Sequence, residues 1–126
     1  MELQEIFNVA VEHLRRQGER SVAFPGMSSM SCKYRGPNGL KCAIGVFIPD
    51  EEYREEFEGR TAEYLPPPPA FRDESGKWLS NDHGDLAYDL QIAHDDSTSP
   101  EELNNQLEFI RCRYGLAPFV PIEKWC

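Results

Sequence analysis

The 126-residue sequence has no apolar run long enough to cross a bilayer: its longest near-apolar stretch, Leu40 to Pro49, is half the roughly 20 residues a spanning helix needs. Basic charge is missing at the start, where Met1-Glu2-Leu3-Gln4-Glu5 is acidic and lacks the apolar core of a secretory signal, so the cytoplasm is the expected compartment. There is no Gly-rich phosphate loop, nucleophile elbow or two-histidine zinc-protease motif, which removes the commonest sequence marks of nucleotide-binding and hydrolytic enzymes. Internal repeats are absent too. Cysteine is sparse, with Cys32, Cys42, Cys112 and Cys126 expected as reduced thiols rather than disulfides.

What is present is sufficient for one core. Hydrophobic residues make up 40% of the chain, with seven Phe, five Tyr and two Trp, in a length typical of a single domain, so residues 1–126 are expected to fold as one unit. The net charge of -9 is uneven. Residues 1–49 carry six Lys/Arg against four acids (+2), residues 50–102 four against sixteen (-12), and residues 103–126 three against two (+1). An anionic surface of that size repels phosphates and anionic lipid, which argues against direct nucleic-acid or membrane binding and favours cationic protein partners or solubility alone.

Hydrophobic spacing predicts an amphipathic helix over Glu2 to Gln17, with Ile6, Ala10, Leu14, Phe7, Val9 and Val11 forming its stripe and Gly18 its stop. Ser21 to Phe24 alternates like a short strand. Gly36-Pro37-Asn38-Gly39 suits a type I turn in a hairpin that sets Gly36 opposite Leu40 and Tyr34 opposite Cys42. That register places Cys32, Tyr34, Leu40 and Cys42 on one face and Lys33, Arg35 and Lys41 on the other. The apolar run Ala43 to Ile48 fits a strand or a short buried helix. Pro49 suits the start of a helix over Asp50 to Glu58. Residues 60–82, containing Pro66 to Pro69, are expected to form a long loop. Asn81-Asp82 can cap a helix to about Asp95, with Leu86, Leu90 and Ala93 inward, and Ser99-Pro100-Glu101-Glu102 opens a last helix burying Leu103, Leu107, Ile110 and Tyr114. Phe119, Val120, Ile122 and Trp125 are too apolar to dangle, so the tail should fold back. The expected architecture is α+β: a two- to three-stranded antiparallel sheet against four or five helices.

Among candidate sites the acidic surface is the largest. Glu51, Glu52, Glu55, Glu56 and Glu58 on the helix from Asp50, with Asp82, Asp85, Asp89, Asp95 and Asp96 around the later one, could imitate the charge row of a phosphate backbone and occupy a basic groove on a partner. A solvated, solubilising face is the alternative. Cys32 and Cys42, neighbours across the hairpin, could hold zinc with His83, His94 or Cys112, although Cys-x9-Cys lacks the short spacing of common zinc sites. His94-Asp95-Asp96 and Asp82-His83-Gly84-Asp85 resemble acid–base pairings, yet His94 continues a buried stripe and His83 sits at a helix start, so structural roles are expected for both. No catalytic residue, metal or cofactor is assigned from these signals. Cys112 has no nearby histidine in sequence, and the three hairpin cations are too few for nucleic-acid binding. The four prolines could meet an aromatic groove or stiffen a crossing.

The run Cys32-Lys33-Tyr34-Arg35-Gly36-Pro37-Asn38-Gly39-Leu40-Lys41-Cys42-Ala43-Ile44-Gly45, followed by Ile48-Pro49-Asp50-Glu51, resembles a group of small proteins encoded by tailed phages and prophages. Leu90-Gln91-Ile92-Ala93-His94-Asp95 and Tyr114-Gly115-Leu116 are similar to that group's second half. The resemblance implies a phage accessory protein and no particular chemistry. The expectation is therefore an acidic binding protein that modulates a host nucleic-acid-handling or antiviral defence complex, in the anti-CRISPR manner, from the host bacterial cytoplasm. Two alternatives stand beside it: a small zinc domain or metal-dependent enzyme on Cys32, Cys42, His83 and His94, and a small-molecule sequestering protein with a pocket beside the hairpin.

Overall fold

The computed structural model describes residues 1–22 and 32–126. Its first helix, α1 (Leu3–Gln17), forms where the apolar spacing predicts and buries Ile6, Phe7, Ala10, Val11 and Leu14, while Val9 of the expected stripe stays exposed. A capping box between Glu2 and Glu5 satisfies its first amides, and Gly18, left-handed at φ 71°, ends it. The second, α2 (Asn81–Asp96), is capped one residue earlier than expected: the Ser80 hydroxyl accepts from the His83 amide. It buries Leu86, Ala87, Leu90 and Ala93. The third, α3 (Pro100–Tyr114), is capped by Ser99, buries Leu103, Leu107 and Ile110, and stops at left-handed Gly115. Of the three, α2 is central, touching α1, α3 and a 3-10 turn at Ala62–Tyr64.

The expected sheet is not there. The fold is mostly helical, and among the described residues pairing is limited to three isolated antiparallel bridges: Val22 with Cys32, Arg35 with Lys41, and Arg72 with Trp78. The α+β expectation is corrected accordingly. The hairpin has the predicted register, since Gly36 N donates to Leu40 O at 2.8 Å next to the Arg35–Lys41 bridge. Its turn is not type I, however, because Asn38 as well as Gly39 is left-handed (φ 59° and 77°). Side chains take the group that would lengthen this ladder, Tyr34 N, and those facing outward from the bridged pair that a further strand would need, Arg35 N and the Lys41 amide and carbonyl. Tyr34 N and Arg35 N donate to the Glu58 carboxylate, Lys41 N donates to Gln17 Oε1, and the Lys41 carbonyl accepts from Gln17 and His13. Of the strand expected at Ser21 to Phe24, Ala23 and Phe24 lie outside the described residues.

The helix expected over Asp50 to Glu58 is also absent. Pro49 O accepts from Glu52 N and Tyr53 N, making one turn, after which Arg54 is extended and only a 3-10 turn, Glu55–Phe57, follows. Tyr53 explains the break: its hydroxyl donates to Glu58 at 2.6 Å and its ring lies under the Arg35 guanidinium, 4.5 Å from the centroid. That geometry pulls the chain across the hairpin instead of letting it wind. The Ala43 to Ile48 run is neither strand nor α-helix but a buried bend containing a 3-10 turn, Gly45–Phe47.

The proline-rich segment is built into the core. Pro67 and Pro68 are buried, as are Ala62, Leu65 and Phe71, and the Phe71 ring is edge-on to both Phe47 and Trp78. The tail folds back as expected. Ile122 and Trp125 are buried, Trp125 Nε1 donates to Ser97 O at 2.9 Å, and Cys126 exchanges backbone hydrogen bonds with Gly18 and Arg20. Val120 remains 71% exposed.

A Cβ on Gly45 would overlap the Tyr34 carbonyl oxygen, so Gly45→Ala should cost about 3 kcal/mol or more in urea denaturation. Gly39→Ala meets no atom and should cost only about 1–2 kcal/mol, from its left-handed backbone. Burial pushes the pKa of His13 below 6.5 despite its bond to the Lys41 carbonyl. The folded state therefore resists a proton that the unfolded chain accepts, and stability should fall as pH drops below about 6.5. His13→Gln should flatten that part of the stability–pH curve.

Candidate functional site

Two polar side chains on the buried side of α2 set the geometry around the hairpin. Gln91 Nε2 donates to the Tyr34 hydroxyl at 2.8 Å, and its Oε1 accepts from Ala62 N at 2.7 Å. Tyr34 in turn donates to the Arg60 carbonyl. One helical turn on, His94 is fully buried, with Nε2 accepting from Ser21 N at 2.9 Å and Nδ1 2.6 Å from Asp95 Oδ1. A ring nitrogen that accepts an amide proton carries none of its own, so the neutral ring's proton sits on Nδ1 and is donated to Asp95. Trp125 closes over the ring edge-on at 5.6 Å.

The ten acidic residues predicted as a contact surface divide in two. The first five do not share a helix. Glu58 turns inward, accepting from Tyr34 N, Arg35 N and the Tyr53 hydroxyl at 2.9, 3.2 and 2.6 Å. Glu52 is bidentate to Arg72, which holds its carboxyl below the usual range, and Glu56 lies 3.7 Å from Arg54. Only Glu51 and Glu55 of this group have neither an ion pair nor a side-chain hydrogen bond among the described residues.

The second five all lie on α2. At about 100° per residue, Asp82, Asp85, Asp89 and Asp96 fall within about 60° of arc, a single row along the solvent side. Asp82, Asp85 and Asp96 are exposed. Asp89 is half-buried, accepting from Arg113 at 2.8 Å and from the Tyr114 hydroxyl at 2.7 Å, and Arg113 reaches Asp85 at 3.9 Å. Asp95 leaves the row to hold His94. Beside the row, on the same helix, stands a tyrosine that sequence reasoning did not single out: Tyr88, 39% exposed. For Tyr88, its place one step off the buried stripe of α2 was the available signal.

The expected metal residues do not gather as a set. His83 is at the opposite end of α2 from His94, about 16 Å away along the axis. Its two ring nitrogens are bonded to the Ser80 hydroxyl and the Met1 carbonyl. Cys42 is buried, its sulfur accepts from Gly45 N at 3.2 Å, and burial pushes its thiol pKa well up. Cys32 instead meets His94 and Asp95: one ligand atom from each of the three lies within 4.8 Å of the others. Burial first, and the Asp95 charge second, push the Cys32 thiol up to about 12, so at neutral pH it is a poor nucleophile. All four cysteines are free thiols.

A cleft of about 170 Å³ opens beside the hairpin, with Cys32, Tyr34, Arg60, Gln91 and Asp95 in its wall. It is smaller than the roughly 300 Å³ at which pockets for drug-sized ligands begin. No helix among the described residues is long and apolar enough to cross a membrane. Comparison with known proteins gives no matching family model, no matching curated protein and no matching solved structure.

The inward Glu58 gives a direct test of this geometry. Glu58→Ala strips the acceptor from two amides and a hydroxyl and should lower stability by about 2 kcal/mol in urea denaturation. Glu55→Ala, at an exposed position, should change it by less than about 0.5 kcal/mol.

Proposed function

We propose that this protein is a binding module that docks the carboxylate row of α2 against a cationic surface on a protein partner and modulates that partner. The observation that carries the reading is the alignment of Asp82, Asp85, Asp89 and Asp96 on one side of a helix whose opposite side is packed into the core. A row of charges on a rigid element loses little conformational freedom on docking. Tyr88 beside it on the same helix supplies aromatic contact area of the kind enriched at interfaces. The sixteen acids against four basic residues in positions 50–102 supply a field that steers a cationic partner.

The resemblance of the hairpin to small tailed-phage proteins supports a host partner in the bacterial cytoplasm, and the charge row supports one that handles nucleic acid, antiviral defence complexes included. The docking surface moves from where charge counting alone had placed half of it. Residues 50–58 do not contribute a helical row, so Glu51 and Glu55 are at most peripheral.

The test is affinity capture from a bacterial lysate with two charge-reversed variants. The variant carrying Asp82→Lys, Asp85→Lys and Asp96→Lys spares Asp89, which is bonded to Arg113 and Tyr114. It should lose the partner retained by the native protein, and salt should elute that partner from the native protein. The variant carrying Glu51→Lys and Glu55→Lys should retain it. Capture that survives reversal of the α2 row contradicts the proposal.

A further inference from the structure

Cys32, His94 and Asp95 bring a thiol, an imidazole and a carboxylate together although the first stands 62 positions before the second, their ligand atoms lying within 4.8 Å of one another. These are the three donor types that zinc takes in proteins. The framework around them is rigid: His94 is fully buried against Trp125, and Asp95 is fixed to the His94 ring. One side is open, because Cys32 and Asp95 both line the cleft beside the hairpin, which leaves room for a water. The position is also favourable for a cation. It lies in the last turn of α2, where unpaired carbonyls concentrate negative potential, with Asp96 next in sequence. The cation present there, Arg20, bonds the Asp95 carbonyl at 3.3 Å rather than its carboxylate.

We infer that Cys32 Sγ, His94 Nδ1 and an Asp95 carboxylate oxygen bind one zinc ion, with a fourth position facing the cleft and filled by water. A tetrahedral zinc ion spaces its ligand atoms about 3.5 Å apart, so Cys32, at most 4.8 Å from the other two, closes on them by about 1.3 Å at most, while His94 Nδ1 and Asp95 Oδ1, now 2.6 Å apart, open by about 1 Å to admit the ion. The protons balance. The Cys32 thiol releases its proton to solvent, and the neutral His94 ring moves its proton from Nδ1 to Nε2, giving one proton released per ion. Thiolate and carboxylate together neutralise the ion, so Arg20 keeps its place.

The tautomer change ends the bond from Ser21 N to Nε2 and turns Nε2 into a donor. The same residue offers a candidate acceptor, reached by a local shift and at the cost of its amide's own bond. The Ser21 hydroxyl is buried and has no hydrogen-bond partner among the described residues. This ligand set differs from the one that spacing pointed to: it keeps Cys32 and His94, replaces Cys42 and His83 with Asp95, and is independent of the docking row on α2.

The experiment uses the full chain, reduced with a phosphine, and cobalt(II) as a spectroscopic stand-in for zinc. The expected result is one ion per chain, visible bands of tetrahedral intensity and a thiolate-to-cobalt charge-transfer band, all removed by zinc. Cys32→Ser should abolish the charge-transfer band, and Asp95→Asn should weaken binding at least tenfold. Cys42→Ser and His83→Gln should leave the spectrum unchanged. Nitrogen NMR of the His94 ring should show its proton on Nδ1 without metal and on Nε2 with zinc. The inference is overturned if the native protein gives no such bands, or if they persist in Cys32→Ser and vanish in Cys112→Ser or Cys126→Ser. Should Cys32→Ser lose its helical circular dichroism, Asp95→Asn decides, and an unchanged affinity there overturns the inference.

Discussion

Gln91 reaches out from the middle of α2 to the Tyr34 hydroxyl on one side and the Ala62 amide on the other, and most of the remaining structure depends on bonds of this type. A chain that buries irregular backbone must satisfy each amide and carbonyl it removes from water. Here the partners are supplied by side chains from elsewhere. Gln91 serves Ala62, His94 serves Ser21, Glu58 serves Tyr34 and Arg35, Gln17 serves Lys41, and Asn104 serves Ile122. The three helices provide the rigid posts, and long polar side chains tie the connecting segments to them. The arrangement makes α2 both the central packing element and the holder of the hairpin.

The two functional readings come from opposite sides of that helix. Its buried side carries Gln91 and His94 and ends at the cluster with Cys32 and Asp95. Its solvent side carries the aspartate row. Because the inner side is fixed by apolar packing and hydrogen bonds together, the outer row is held in place without internal bonding of its own, apart from the contacts of Asp85 and Asp89 with Arg113 and of Asp89 with Tyr114. The charge of the middle segment is thus partly structural and partly free. Glu58, Glu52 and Asp95 are committed to the fold, whereas Asp82 and Asp96 point to solvent with no ion pair among the described residues.

What could be seen in the sequence was whatever depends on neighbours. The apolar stripes of α1, α2 and α3, the Ser99 cap with Pro100, the stops at Gly18 and Gly115, and the hairpin register all follow from residues within a few positions of one another. The errors came where distant residues decide. Nothing between positions 32 and 42 announces that Glu58 and Gln17 will take the amides a strand partner would need, so a sheet was expected where one bridge forms. Nothing within 50–58 announces that Tyr53 and Glu58 will be drawn to the hairpin, so an acidic helix was expected where the chain bends. The site divides in the same way. The aspartate row on α2 was visible as spacing, and His94 was visible as part of a buried stripe. The meeting of Cys32 with Asp95 was not, because it requires the tertiary fold.

The central claim is that side-chain acceptors, not a β-ladder, hold the non-helical backbone, and hydrogen exchange under native conditions tests it residue by residue. The amides of Ser21, Tyr34, Lys41 and Ala62, each donated to a side chain, should exchange nearly as slowly as those in the buried turns of α2. If these four exchange like exposed loop amides while α2 stays protected, the account is wrong.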